Sequence, residues 1–299
     1  MLVVQRTASI DITWPDGFFA PMQLHGRGRD AIDGAEVATA TMDAVVDFVG
    51  GKVIVAATAD PDDVGRAAAL VGQRASLRLR DALDPNDGSL TNLLLDDIAG
   101  ATLISGYALT LSDGIGAFRA SSSGLAGSSS SRPFKLPIDV CAGWEADGEM
   151  ATALATGEPV LRIGRRAPND DDLPPLPPVS MRRRRRLTAV PEGDELSVTS
   201  MFRDTYIDAN GVETVVHEYD LSALVDPATQ IVVAMGAAPG QLPGPECPNA
   251  AGSAGRLAGM PLASVRARVR EELVGTTTCT HLNDALRAFG DLGWLLSRR

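Results

Sequence analysis

The chain has 299 residues, 44% apolar and 22% charged, which excludes a disordered or collagen-like chain and gives length for about two domains at ~150 residues each. No apolar run approaches the ~18 residues of a spanning helix, the apolar start is too short for a secretory leader, and three cysteines exclude a disulfide framework, so a cytoplasmic chain with no membrane partner is expected. Lys plus Arg is 27 against 38 for Asp plus Glu, a net charge of −11, which argues against nucleic acid as a partner because such binding rests on neutralising phosphates.

In chain order, strands are expected over 8–14, 21–27, 37–49 and 53–59, with Gly50-Gly51 as the last hairpin turn. Helices are expected over 64–71 and 75–83, and a third starts near Thr91. The 121–131 stretch is rich in Ser and Gly and reads as mobile. The 134–163 stretch has enough apolar residues to pack onto the body, and its centre is Ile138-Asp139-Val140-Cys141-Ala142-Gly143-Trp144. The 169–179 stretch is acidic, proline-rich and reads as extended. Five arginines, Arg182 to Arg186, read as a solvated lead into a strand, with Asp170-Asp171-Asp172 as nearby counter-charge. Strands then follow over 186–190, 196–202, 213–225 and 231–237, with a turn at Asp226-Pro227-Ala228-Thr229. Helices are expected over 250–257, 262–274 and from Thr280 towards Leu296.

The two ends of the chain share short matches in the same order. Trp14-Pro15-Asp16-Gly17 matches Val190-Pro191-Glu192-Gly193, and Arg29-Asp30 matches Arg203-Asp204. Val53-Ile54-Val55-Ala56 matches Ile231-Val232-Val233-Ala234, and the Gly88 to Asp97 stretch lies over Gly275 to Asp284. The expected fold is therefore α+β: an internally duplicated antiparallel sheet plus helices, the halves related by a pseudo-two-fold axis. Residues 1–111 form a degenerate, scaffolding repeat, 112–180 an insertion, and 181–299 the site-bearing repeat. The repeated Arg-Asp pairs read as salt-bridged strand ends.

Reactive side chains concentrate in the second repeat. Cys279 aligns with Asn92, His281 with Leu94, and His217 roughly with Ala40. In Thr276-Thr277-Thr278-Cys279-Thr280-His281-Leu282-Asn283-Asp284, hydroxyls precede a helix whose macrodipole would favour a Cys279 thiolate. Asp284, three residues after His281, is placed to orient that ring. In Val215-Val216-His217-Glu218-Tyr219-Asp220, a strand points His217 and Tyr219 one way and Glu218 and Asp220 the other. Burial of His217 or Glu218 would make a candidate acid or base. Cys141, with Asp139 and Trp144, lies on the non-repeated segment and could cover a pocket. Gly26-Arg27-Gly28 lacks the third glycine and the strand-to-helix setting of a dinucleotide site.

With those residues quoted, the chain resembles an uncharacterised bacterial family, through Trp14 to Gly17, Cys141 to Trp144, the arginine run, His217-Glu218-Tyr219, Cys247-Pro248 and Thr278 to Asp284. The second half is also similar to the iron–sulfur cluster scaffold proteins of the U type. Cys247-Pro248-Asn249-Ala250 with Gly259-Met260-Pro261-Leu262 stands where their loop cysteine segment stands, and Cys279 with His281 near their late His-Cys pair. It departs from them in lacking a first Cys-Gly-Asp and in placing the His after Cys279. That resemblance implies convergence of Cys247, Cys279 and His281 as ligands for zinc or iron, with His217 or Glu218 as a fourth.

The leading expectation is an enzyme of lyase, isomerase or hydrolase type without a cofactor. It would act on a small, largely apolar metabolite through His281, Cys279 and His217, with Glu218, Tyr219, Asp284 and Cys141 behind them. A metal- or cluster-binding scaffold and a non-catalytic interaction protein are the alternatives.

Overall fold

A computed structural model describes residues 2–62, 64–111, 138–156, 164–168 and 172–298. Alternating apolar side chains build β1 (Val4–Thr13), β2 (Met22–Ile32), β3 (Ala35–Asp47) and β4 (Val53–Asp60). The second set is β5 (Ser180–Glu192), β6 (Glu195–Ile207), β7 (Glu213–Asp226) and β8 (Ile231–Pro239). All eight join one antiparallel sheet in the order β4-β3-β2-β1-β5-β6-β7-β8. Each set is a meander, and the sets meet where β1 pairs with β5, Arg6 opposite Leu187 and Ile10 opposite Arg183.

The helices are α1 (Arg66–Ala69), α2 (Leu90–Leu111), α3 (Glu149–Thr156), α4 (Leu262–Glu272), α5 (Thr280–Phe289) and α6 (Leu292–Leu296). The helices expected over 75–83 and 250–257 are 3-10 segments instead, Leu77–Ala82 and Cys247–Leu257. Gly252 and Gly255 explain the second, since glycine weakens a regular α-helical ladder. No helix among the described residues is long and apolar enough to cross a membrane. The Ser/Gly stretch 121–131 and the two ends of the 134–163 stretch, 134–137 and 157–163, lie outside the described residues, as do Asp170 and Asp171.

One face of the sheet carries the apolar side chains. Ile10, Ile12, Met22, Leu24 and Met42 pack under α2, and Leu221, Val225 and Val232 pack with α4 and α5. Gly28 lets α2 approach closely, because a Cβ there would lie 2.8 Å from Leu90 Cδ2. The other face is polar: Gln5, His25, Arg29 and Asp43 are exposed, and His25 Nδ1 meets Asp43 Oδ1 at 2.7 Å.

The arginine run is not solvated. It lies within β5, and Arg182 to Arg185 are buried while Arg186 is exposed. Alternation splits it between the faces. On the open face Arg182 Nε donates to Asp11 Oδ1 at 2.6 Å and Arg184 Nη2 to Asp172 Oδ1 at 2.7 Å. On the helix face Arg185 clasps Asp97 through two bonds of 2.5 and 2.6 Å, and Arg183 enters a larger array.

In that array Arg6 holds Asp30 and reaches Asp291 at 3.0 Å. Arg266 bridges Asp291 and Asp96. Asp96 also accepts from Arg80 and Arg287, at 2.5 and 2.6 Å. Arg80 continues to Asp284, and Arg183 links Asp284 to Asp204, each at 2.9 Å. Within the array, six buried arginines (Arg6, Arg80, Arg183, Arg185, Arg266, Arg287) thus meet six buried aspartates (Asp30, Asp96, Asp97, Asp204, Asp284, Asp291). The adjacent Arg-Asp pairs of the sequence are not partners of each other. Neighbours on a strand face opposite ways, so Arg29 bonds Glu36 and Arg203 bonds Glu218 on the open face, while Asp30 and Asp204 enter the array.

Gly100 on α2 makes room for this. A Cβ there would stand 1.8 Å from Arg183 Nη1 and 2.7 Å from Asp284 Oδ2. Alanine normally stabilises a helix by ~1 kcal/mol over glycine. Here Gly100→Ala is expected to lower the unfolding free energy by about 3 kcal/mol or more, because it separates a buried pair. Urea denaturation of the two proteins checks the sign. Against the cost of burial, Arg80, Arg287 and Arg266 hold the Asp96 carboxyl down to about 2. Its contribution is therefore full above the ordinary carboxyl value of 3.8 and is lost as pH falls through about 2. Unfolding midpoints measured from pH 5 to pH 2 should fall steeply below pH 4.

Candidate functional site

The site forms where β6, β7 and α5 meet. A β-bulge sets Asp204 opposite His217 but Thr205 opposite Val215, so Val216 is the extra residue. Bulges re-aim neighbouring side chains. His217 and Tyr219 point to the helix face and are fully buried. Above them α5 begins, with Cys279 as N-cap and His281 in its first turn.

The His281 ring stacks on His217, with centroids 3.6 Å apart and planes 21° from parallel. Tyr107 of α2 meets His217 edge-on at 5.0 Å. Asp204 Oδ2 lies 3.3 Å from His217 Nδ1, an ion-pair distance. One ligand atom from each of Asp204, His217 and His281 lies within 4.8 Å of the others. Among the described residues, both ring nitrogens of His217 and Nε2 of His281 are buried without a hydrogen-bond partner. Buried polar atoms are otherwise almost always paired, so three orphans in one place mark a site.

The electrostatics suit ligands better than proton donors. Burial pushes the His217 imidazole down, offset in part by Asp204. It pushes His281 further, and the neighbouring His217 adds to the effect. Both rings are therefore neutral near pH 7, with lone pairs available. Burial opposes ionisation of Asp204, but Arg183 and His217 hold its carboxyl far below the usual range.

Cys279 Sγ lies 3.9 Å from His281 Nδ1. The helix start does point the amides of Leu282 and His281 at this sulfur, but burial outweighs them and pushes the thiol up. Burial thus works against the dipole-favoured thiolate expected at this position. The preceding hydroxyls do not cap α5 either: Thr278 Oγ1 donates to Asn283 Oδ1 at 2.6 Å. Cys141 precedes a 3-10 turn, Ala142–Trp144, and docks on this helix start through Ala142 N donating to Thr278 O at 2.8 Å. Gly143 lies over Cys247, where a Cβ would be 2.5 Å from Sγ. Burial and the nearby Cys279 push both Cys141 and Cys247 up to about 12. Tyr219 Oη donates to Cys247 O at 3.4 Å, and burial beside Cys279 pushes its hydroxyl far up.

Two residues expected at the site serve elsewhere. Asp284 does not orient His281. It faces Arg80 and Arg183, which hold it ionised against burial. Glu218 lies on the opposite face, bonded by Arg165 at 2.7 Å and Arg203 at 2.8 Å. Cys247 and Cys279 are not in the donor group that forms around His281; Asp204 and His217 complete it. Sequence reasoning missed Asp204, Tyr107 and Arg183 as site residues. Asp204 had a signal, since its strand pairs with that of His217.

The three buried, protonated thiols should react with a disulfide reagent at pH 8 at least ~100-fold more slowly in the native protein than after unfolding. Timed thiol counts with and without guanidinium check this. Neither a curated protein nor a solved structure matches the chain. Residues 181–293, from β5 into α6, match the model of a family described as a protein of unknown function, DUF2889, and this stretch holds Asp204, His217, Cys247, Cys279 and His281.

Proposed function

We propose that the chain is a small-molecule enzyme built around a transition-metal centre held by Asp204, His217 and His281. The observation that carries this is the set of orphaned nitrogens on two neutral, buried imidazoles beside an ionised carboxylate. Two nitrogens and one carboxylate oxygen are a donor set that zinc and iron(II) accept, with coordination positions left for water or substrate, once the stacked rings turn their in-plane lone pairs onto one point. A metal bound there would polarise a substrate oxygen or a water, which fits lyase, isomerase or hydrolase chemistry. The chain's own contributions are distinct. Arg183 keeps Asp204 charged, and Tyr107 holds the His217 ring edge-on. A thiol mechanism is less well supported, because Cys279 and His281 are both held neutral and form no thiolate–imidazolium pair. A cluster scaffold is less well supported too, since the donors that gather are N and O.

The same reading makes the chain a duplication with one working copy. In support, Arg6 stands opposite Asp30 as Arg183 does opposite Asp204. A bulge follows each aspartate, between Asp30 and Ala31 and between Asp204 and Thr205. The outer hairpins also share one, between Val45 and Val46 and between Leu224 and Val225. In this register Ala38, not Ala40, occupies the place of His217. The first copy thus has no donor at that position, and it contributes Tyr107 and Asp97 as support.

Protein purified without chelators or a metal-affinity tag is expected to hold about one zinc or iron per chain by elemental analysis. His217→Ala and His281→Ala should each lose it while keeping the wild-type circular dichroism. Wild-type protein that stays metal-free after exposure to zinc and to iron(II) overturns the reading.

A further inference from the structure

A second place in the molecule has unmet hydrogen-bonding demand. A cleft of about 460 Å³ opens at the outer edge of the ion-pair array, between the Leu77–Ala82 turn, α2, α4 and α5. At its floor three guanidiniums, from Arg80, Arg266 and Arg287, converge on the one carboxylate of Asp96. Arg80 and Arg266 each have a second carboxylate, Asp284 and Asp291. Among the described residues Arg287 has none. Its Nη2 bonds Asp96 at 2.6 Å, while Nε and Nη1 are buried without a partner among those residues, on a residue only 5% exposed. Asn92 lines the same cleft. Its Nδ2 donates to Asp84 O and Asp87 O, and its Oδ1 is buried without a partner among the described residues.

A buried cation with vacant donors calls for an anion, and a vacant amide oxygen nearby calls for a donor. We propose that this cleft binds a small oxyanion-bearing metabolite, a carboxylate or a phosphate. Arg287 donates to the oxyanion, and Asn92 Oδ1 accepts from a hydroxyl or amine on the same molecule. The rim limits the size of the ligand. Asp81, Asp84 and Glu271 line it with Arg270, which pairs with Asp81. These carboxylates repel an extended polyanion and leave the floor as the attractive part. The cleft shares no residue with the metal centre proposed above, so either proposal can fail alone.

The test is calorimetric titration of the full chain with inorganic phosphate and, separately, with malate, at ionic strength held constant with sodium chloride. Saturable binding of either probe is expected. Phosphate alone assigns a phosphate ester, and malate alone a hydroxy acid. Arg287→Lys should weaken binding about tenfold, through loss of the planar donor set. Arg270→Ala removes an exposed ion pair at the rim, leaves the fold intact, and should weaken binding a few-fold. The proposal is overturned if neither probe gives a saturable signal beyond sodium chloride. It is equally overturned if the binding seen is unchanged in both folded variants.

Discussion

The structure depends on charge neutrality in its interior. Each guanidinium taken from water costs several kcal/mol, so each must meet a carboxylate in the folded state and nowhere else. Arg183 illustrates the consequence. It ties β5 to Asp204 on β6 and to Asp284 on α5, and Gly100 gives it space beneath α2. One side chain thereby fixes a strand pair and the seats of two helices. A helix slid by one turn would leave a buried charge unpaired, so the array selects one arrangement where apolar packing alone would tolerate several.

This constraint also shapes the site. His217 and His281 come from elements far apart in the chain, and they stack because Asp204 and Asp284 hold the same guanidinium. The array supplies the local charge as well. Arg183 satisfies Asp204 on one side, which leaves that carboxylate ionised beside two neutral rings. Burial keeps both imidazoles neutral, which suits the ligand role proposed for them better than proton transfer.

Much of the sheet was legible because alternation and turn residues are local signals. All eight strands follow from them, as does the order of the helical segments outside Ala142–Trp144 and Glu149–Thr156. The misreadings came from distant partners. Five consecutive arginines look solvated until Asp97 and Asp284 arrive from other elements. The pairing of β1 with β5, which turns two meanders into one sheet, has no local signature. The site was half legible. The sequence singles out His217, His281 and Cys279 as the reactive residues of the second half, but not Asp204. Extending the β6–β7 hairpin register without a bulge would set Asp204 against Val216, and the extra residue brings it to His217. The thiol at Cys279 shows another limit: the helix dipole is visible in a sequence, while the burial that opposes it is not.

The central claim is that Asp204, His217 and His281 enclose a metal. Anomalous diffraction from crystals of the protein purified without chelators, recorded on both sides of the zinc and iron absorption edges, tests it most directly. The account predicts one edge-dependent peak within bonding distance of both imidazoles and the Asp204 carboxylate. A peak on the cysteines instead, or a water between the two rings with no anomalous signal, would contradict it.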